Sequence, residues 1–120
     1  MKRFITALAG AAIAVTALAG CAAPAEPVAL GDDTVIIDVR SAQEHAEGHL
    51  DGAVLLDVSS GELDAAIPSL DPTLEYAVYC RSGNRSAQAA QKLRDAGFEK
   101  IIDLGSLQSA SEATGIAVIL

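Results

Sequence analysis

Four apolar runs recur along the chain after residue 33: Thr34–Val39, Ala53–Val58, Tyr76–Cys80 and Ile101–Leu104. The first is a near-continuous β-branched stretch, the pattern of a strand covered on both faces of a parallel sheet. Helical signals fill the gaps between the runs. Ser41 caps a short helix, with Glu44 at the capping-box position three residues on and Gly48 closing it. Ser59 or Ser60 followed by Glu62–Ile67 predicts a second short helix stopped by Pro68, and Asp71-Pro72 marks a turn. Ser86–Ala96 predicts the best-defined helix, with Ala89, Ala90, Leu93 and Ala96 on one face and Gly97 just past its end. Strands alternating with helices predict an α/β fold: a single domain with a mostly parallel central sheet flanked by helices.

The start of the chain reads differently. Lys2 and Arg3 precede an uncharged run, Phe4–Leu18, that is closed by small residues, the organisation of an export signal. Leu18-Ala19-Gly20-Cys21 resembles the lipobox of bacterial lipoproteins, in which cleavage leaves an acylated cysteine at the new N-terminus. The resemblance implies residues 1–20 as a lipoprotein signal peptide cleaved before Cys21, the lipidation site. A transmembrane anchor fits less well, because the run is shorter than the roughly 20 residues needed to span and lacks a charged stop flank. Residues 21–32, with Pro24 and Pro27, read as a tether, and residues 33–120 as the folded domain. The expected location is the cell membrane, lipid-anchored and facing outside the cytoplasm.

Composition narrows the possibilities further. With 51% hydrophobic residues but only 3% aromatics and no Trp, the core must be built from Ala, Val, Ile and Leu. The formal net charge is −8; removing residues 1–20 takes away Lys2 and Arg3 and no acid, which makes it −10. So acidic a body excludes nucleic acid as a partner and leaves membrane attachment to the lipid. If Cys21 is acylated, Cys80 has no partner for an internal disulfide. An unpaired thiol in an oxidising compartment points to redox or sulfur chemistry. Two separated histidines and one free cysteine make no metal site, and no cofactor is expected.

The candidate chemistry sits at Val78–Ser86, Val-Tyr-Cys-Arg-Ser-Gly-Asn-Arg-Ser, where a strand delivers Cys80 into a short loop that runs into a helix. Backbone N–H groups at a helix start lack intrahelical partners and favour an anion. Together with Arg81 and Arg85 they should lower the thiol pKa and supply thiolate near neutral pH. The competing reading is a buried structural cysteine. The two arginines, Gly83 and the helix start favour Cys80 as a nucleophile.

Asp38-Val39-Arg40, Glu44, Gly48-His49-Leu50-Asp51-Gly52-Ala53, the Cys80–Ser86 loop and Ala96-Gly97-Phe98 resemble the rhodanese-like sulfurtransferase family in order and spacing. The resemblance implies a rhodanese fold and a catalytic Cys80 that cycles through a persulfide. Substrate would be held by Arg81, Ser82, Gly83, Asn84, Arg85 and the Ser86 amide. The implied activity moves sulfane sulfur from an anion such as thiosulfate to cyanide, a thiol or a partner protein. The alternative is a non-enzymatic persulfide carrier or redox-interaction module. Cell-cycle phosphatases of the same fold have a loop one residue longer, which favours sulfur over phosphate here. Four residues near the site read as structural. Arg40 and Glu44 are spaced to pair across the first turn, Asp38 to cap it, and His49 to serve a Gly-His turn, while His45 reads as a solvated helix residue. The C-terminus departs from the family, with one Gly at Gly105 in place of a pair and no Trp-bearing helix.

If the lipid is the membrane attachment, Cys21→Ala blocks lipoprotein processing and abolishes metabolic acyl labelling. Undiminished labelling of the variant would refute the lipobox.

Overall fold

The computed structural model describes residues 25–120, so the segment read as a signal peptide and the expected lipidation site Cys21 lie outside the described residues. Four parallel strands make the sheet: β1 (Val35–Asp38), β3 (Val54–Leu55), β4 (Tyr76–Cys80) and β5 (Ile101–Ser106), in the order β3-β1-β4-β5. The helices between them are α1 (Ala42–Glu47), α2 (Glu62–Ala66) and α3 (Asn84–Asp95). The second predicted strand is shorter than its apolar run, because only Val54 and Leu55 pair with β1.

Successive side chains alternate between the two faces of the sheet, and both faces are covered, so every residue of β4 is buried. Ile37, Val39, Tyr76, Val78 and Cys80 face a cluster with Leu63 of α2 and Ala89, Ala90 and Leu93 of α3. Ile36, Ala77, Tyr79 and Leu104 face the other side. That second face is covered by α4 (Leu107–Thr114), through Leu107 and Ala110, and by Leu50 of β2 (His49–Leu50). β2 in turn pairs antiparallel with β6 (Val118–Ile119).

The sequence gives no prediction of α4 or β6. Ser106 caps α4 by accepting from the Ser109 N–H at 3.1 Å, and the chain then returns so that Leu50 opposes Val118. α4, whose one buried residue is Ala110, therefore covers this face without a Trp. The folded body also begins earlier than residue 33: the Val28 N–H donates to the Ala113 carbonyl at 2.8 Å, and Val28 and Leu30 pack on the second cluster. Apolar contacts draw the end of the predicted tether into the domain.

A fully buried carboxylate joins these layers. Asp38 Oδ1 accepts from the Arg40 backbone N–H and Nε, both at 2.9 Å. Its Oδ2 accepts from Arg40 Nη2 at 2.7 Å and the Tyr79 hydroxyl at 3.1 Å, and lies 2.9 Å from His45 Nδ1. Arg40 Nη2 also reaches the Gly48 carbonyl, and the Tyr79 oxygen accepts from the Leu50 N–H. The bond to its own turn matches the capping role expected of Asp38. Two other expectations fail. Arg40 pairs with Asp38 instead of Glu44, and His45 turns inward to Asp38, with its ring stacked on His49 at 3.8 Å. A buried guanidinium needs a buried counter-charge, and Asp38 alone is close enough and equally desolvated.

Burial alone would raise the Asp38 pKa, but the hydrogen bonds from Arg40 and His45 outweigh it and the carboxyl stays below its ordinary value. Asp38→Ala leaves the Arg40 charge buried and unpaired and should cost about 3–5 kcal/mol of stability. A urea unfolding midpoint unchanged from the parent would contradict that.

Candidate active site

Cys80 ends β4 at the carboxyl edge of the parallel sheet, where open α/β folds place their ligands. Its side chain is fully buried against the α3 face. The chain leaves the strand through Arg81 and Ser82 and reverses at Gly83, whose φ of +96° is the left-handed conformation that glycine adopts without strain. Helix α3 begins at once, at Asn84, two residues earlier than the predicted start. The reversal folds backbone donors toward the sulfur: the Gly83 N–H donates to Cys80 Sγ at 2.9 Å, and the amides of Ser82 and Ser86 add to the pull that lowers its pKa.

Burial pushes the Cys80 thiol up, while the hydroxyl and amide of Ser86 and the amides of Gly83 and Ser82 pull it down. The donors win, and the pKa lies below its ordinary 9.0. The Ser86 hydroxyl has two acceptors in reach, the Gly83 carbonyl at 3.0 Å and the sulfur. The sequence-based expectation named the helix-start amides together with the arginines; the amides are among the largest causes, the Ser86 hydroxyl joins them, and Arg85 couples to Cys80 through charge alone. Arg85 is instead gripped by Glu44, with Nη1 to Oε1 at 2.7 Å and Nη2 to Oε2 at 2.9 Å. Arg81 and Asn84 are exposed.

The Glu44–Arg85 clamp is the feature that sequence reasoning missed. The capping box does place Glu44: its carboxylate meets the Ser41 N–H, while Ser41 Oγ accepts from the Glu44 N–H. Its link to a residue 41 positions away, however, exists only once α1 and α3 converge above the sheet. The Arg85 hydrogen bond is the main cause that lowers Glu44 from an ordinary 4.5 to about 2. A carboxylate depressed in this way stabilises the fold above its ordinary pKa and loses that contribution only as the pH falls toward 2. The clamp thus holds Arg85 beside Cys80 throughout the neutral range. Asp38, Arg40 and His49 form the supporting network and do not contact the sulfur. Among the described residues no cluster of metal-ligating side chains occurs.

Such a site can hold a thiolate in a ring of N–H donors and present a clamped guanidinium to an incoming anion. Because the donors around Ser86 set the thiol pKa, Ser86→Ala should raise the midpoint of the pH dependence of Cys80 alkylation. Arg85→Ala should raise it less. The opposite ranking would return the activation to the arginines.

Comparison with known proteins agrees with this geometry. A profile of the Rhodanese-like domain matches residues 26–111. YrkF of Bacillus subtilis, a candidate sulfur carrier protein, is 33% identical over 69 residues, which are 58% of this chain and 36% of that protein. YtwF of Bacillus subtilis, a candidate sulfurtransferase, is 34% identical over 80 residues, 67% of this chain and 76% of that one. The crystal structure of the Rhodanese_3-like domain of Alr3790 from Anabaena superposes with a TM-score of 0.63 at 31% identity, covering 72% of this chain and 99% of that chain. The chain spans about a third of YrkF and about three-quarters of YtwF. The profile covers most of the sequence, including the whole cysteine loop and the strands that carry it, and on that match the chain belongs to the rhodanese-like family.

Proposed function

We propose that this protein is a lipid-anchored sulfurtransferase working outside the cytoplasm, which carries sulfane sulfur as a persulfide on Cys80. The observation that carries the reading is the amide ring around the buried Cys80 sulfur, with the Gly83 N–H at 2.9 Å. A terminal persulfide sulfur is anionic and has the same need for N–H donors as the thiolate it replaces. With thiosulfate as donor, the Cys80 thiolate attacks the outer sulfur. A Cys80 S–S bond forms, the bond to the sulfonate sulfur breaks, and its electron pair leaves on sulfite. In the second step cyanide attacks the outer persulfide sulfur, thiocyanate forms, and the electron pair returns to Cys80 as thiolate. Arg85 meets the anionic donor and the leaving sulfite. Membrane attachment in this reading rests on the Cys21 lipid.

Likeness to YrkF favours a second reading, in which Cys80 hands its sulfur to a partner protein and has no free turnover. Steady-state kinetics with thiosulfate and cyanide separates the two. The enzyme reading expects ping-pong thiocyanate formation, complete loss in Cys80→Ser, and a fall in kcat/KM of about ten- to hundred-fold in Arg85→Ala, for a lost charge-assisted contact of about 1.5–3 kcal/mol. A folded protein that takes up one sulfur per Cys80 but passes none to small acceptors leaves only the carrier.

A further inference from the structure

Few large apolar side chains are left in solvent. Among the described residues they are Val54, Val118, Ile119 and Leu120, and three of the four are consecutive. Single exposed apolar residues are ordinary, whereas a contiguous group marks an interaction surface. This group lies on and just after β6, which among the described residues pairs with β2 along one edge and with no strand along the other. Open strand edges are normally blunted by charged residues or Pro. Here residues 113–120, Ala-Thr-Gly-Ile-Ala-Val-Ile-Leu, carry no charged side chain, in a chain of which 20% is charged.

The N-terminal segment joins the folded body at the same corner. The Val28 N–H donates to the carbonyl of Ala113, in the last turn of α4, and Ile116 packs on the cluster that Val28 and Leu30 also cover. The Asp51 N–H holds the Ala117 carbonyl at 2.9 Å, so the uncharged run leaves α4 beside the point where Val28 enters. Val28 is seven residues after Cys21. Fully extended, that length reaches about 25 Å. A lipid on Cys21 therefore keeps this corner of the domain within a short reach of the bilayer.

We propose that Val118, Ile119 and Leu120 dock on the bilayer that holds the Cys21 lipid, which makes β6 and the entry of Val28 the membrane-facing corner of the domain. The inference rests on the lipid-anchored reading and adds the protein surface that meets the membrane. Three side chains make a weak contact, but anchoring makes that contact intramolecular and supplies a high effective concentration. A second copy gains no such help, and three side chains fall far short of the roughly 800 Å² per partner of a stable interface. Charge points the same way: anionic headgroups repel the acidic remainder of the body, which leaves an uncharged corner as the face of easiest approach. Asp51 and Glu47 flank the group and limit it to shallow burial at the headgroup level. Val118 also lines a cavity of about 270 Å³ together with Arg81, so docking turns the rim of the active loop toward the lipid surface.

The chain contains no Trp, so a single introduced Trp reports its own surroundings. The acylated protein is purified from membranes, the lipid on Cys21 is checked by intact mass, and the protein is placed in phosphatidylcholine vesicles with and without brominated acyl chains. Ile119→Trp should shift its emission to the blue on the vesicles and lose most of it to the brominated lipid. Gln88→Trp, exposed on α3 across the sheet, should show neither change. Because Trp itself favours the membrane interface, Leu120→Asp is then combined with Ile119→Trp and should restore most of the emission. Leu120 is 90% exposed, so the second change leaves the packing intact. With Cys21 acylated, equal quenching of both reporters, no quenching of Ile119→Trp, or no response to Leu120→Asp overturns the docking face and leaves the anchor standing. A blue shift without quenching that grows with the protein-to-lipid ratio also overturns it and assigns the edge to a second copy. Absence of the acyl mass on Cys21 defeats the lipid-anchored reading and this inference with it.

Discussion

Asp38 is a carboxylate without access to water, and most of the architecture around the active loop follows from the need to compensate it. A buried ion is tolerated only when its lone pairs are filled by donors, at a desolvation cost of several kcal/mol otherwise. Here the donors come from the turn after β1, from α1 and from β4. Satisfying Asp38 therefore fixes the position of α1 over the end of the sheet. Because Glu44 precedes His45 on that helix, α1 also delivers the carboxylate that grips Arg85. A charge that never touches the sulfur thus determines where the active-site cation stands.

The nucleophile itself depends on a different kind of electrostatics. Amide dipoles held by the loop backbone cost no side-chain entropy and are not released by solvent screening, so they suit a buried sulfur better than flexible arginines would. Arg85 has much of its charge offset by Glu44, and Arg81 is exposed at the rim. Activation of the thiol therefore falls mainly to the amides and Ser86, and attraction of an anion mainly to the cations at the rim. Separation matters for a protein whose net charge is −8, since the surrounding field repels anions and only a local cradle can hold one.

The second face of the sheet shows how the fold manages without the family's tryptophan. Leu107 and Ala110 of α4 lie on Tyr79 and Leu104, and Val28 and Leu30 fill the margin. A small helix leaves room at its edge, which the antiparallel β2–β6 pair closes beside the active loop. Closure by this pair, unforeseen in the apolar pattern, also gives the cavity next to Arg81 its Val118 wall.

By itself the sequence determined whatever is local in chain distance. Apolar runs announced β1, β4 and β5 because a strand buried on both faces can carry few polar residues, and the Ser41–Glu44 capping box is a contact across three residues. The Cys80–Ser86 loop was legible for the same reason: strand end, glycine reversal and helix start are consecutive, so the amides that surround the sulfur could be foreseen from their order. β6 was not legible, because a two-residue strand has too short a pattern and exists only through its partner. Nor were the pairings of Asp38 with Arg40, His45 and Tyr79, or of Glu44 with Arg85. Arg40 had two carboxylates within four residues, and helix spacing favoured Glu44. Choosing between them depended on which carboxylate the folded layers would bury, a matter decided by the convergence of α1, α3 and the sheet and by no spacing along the chain.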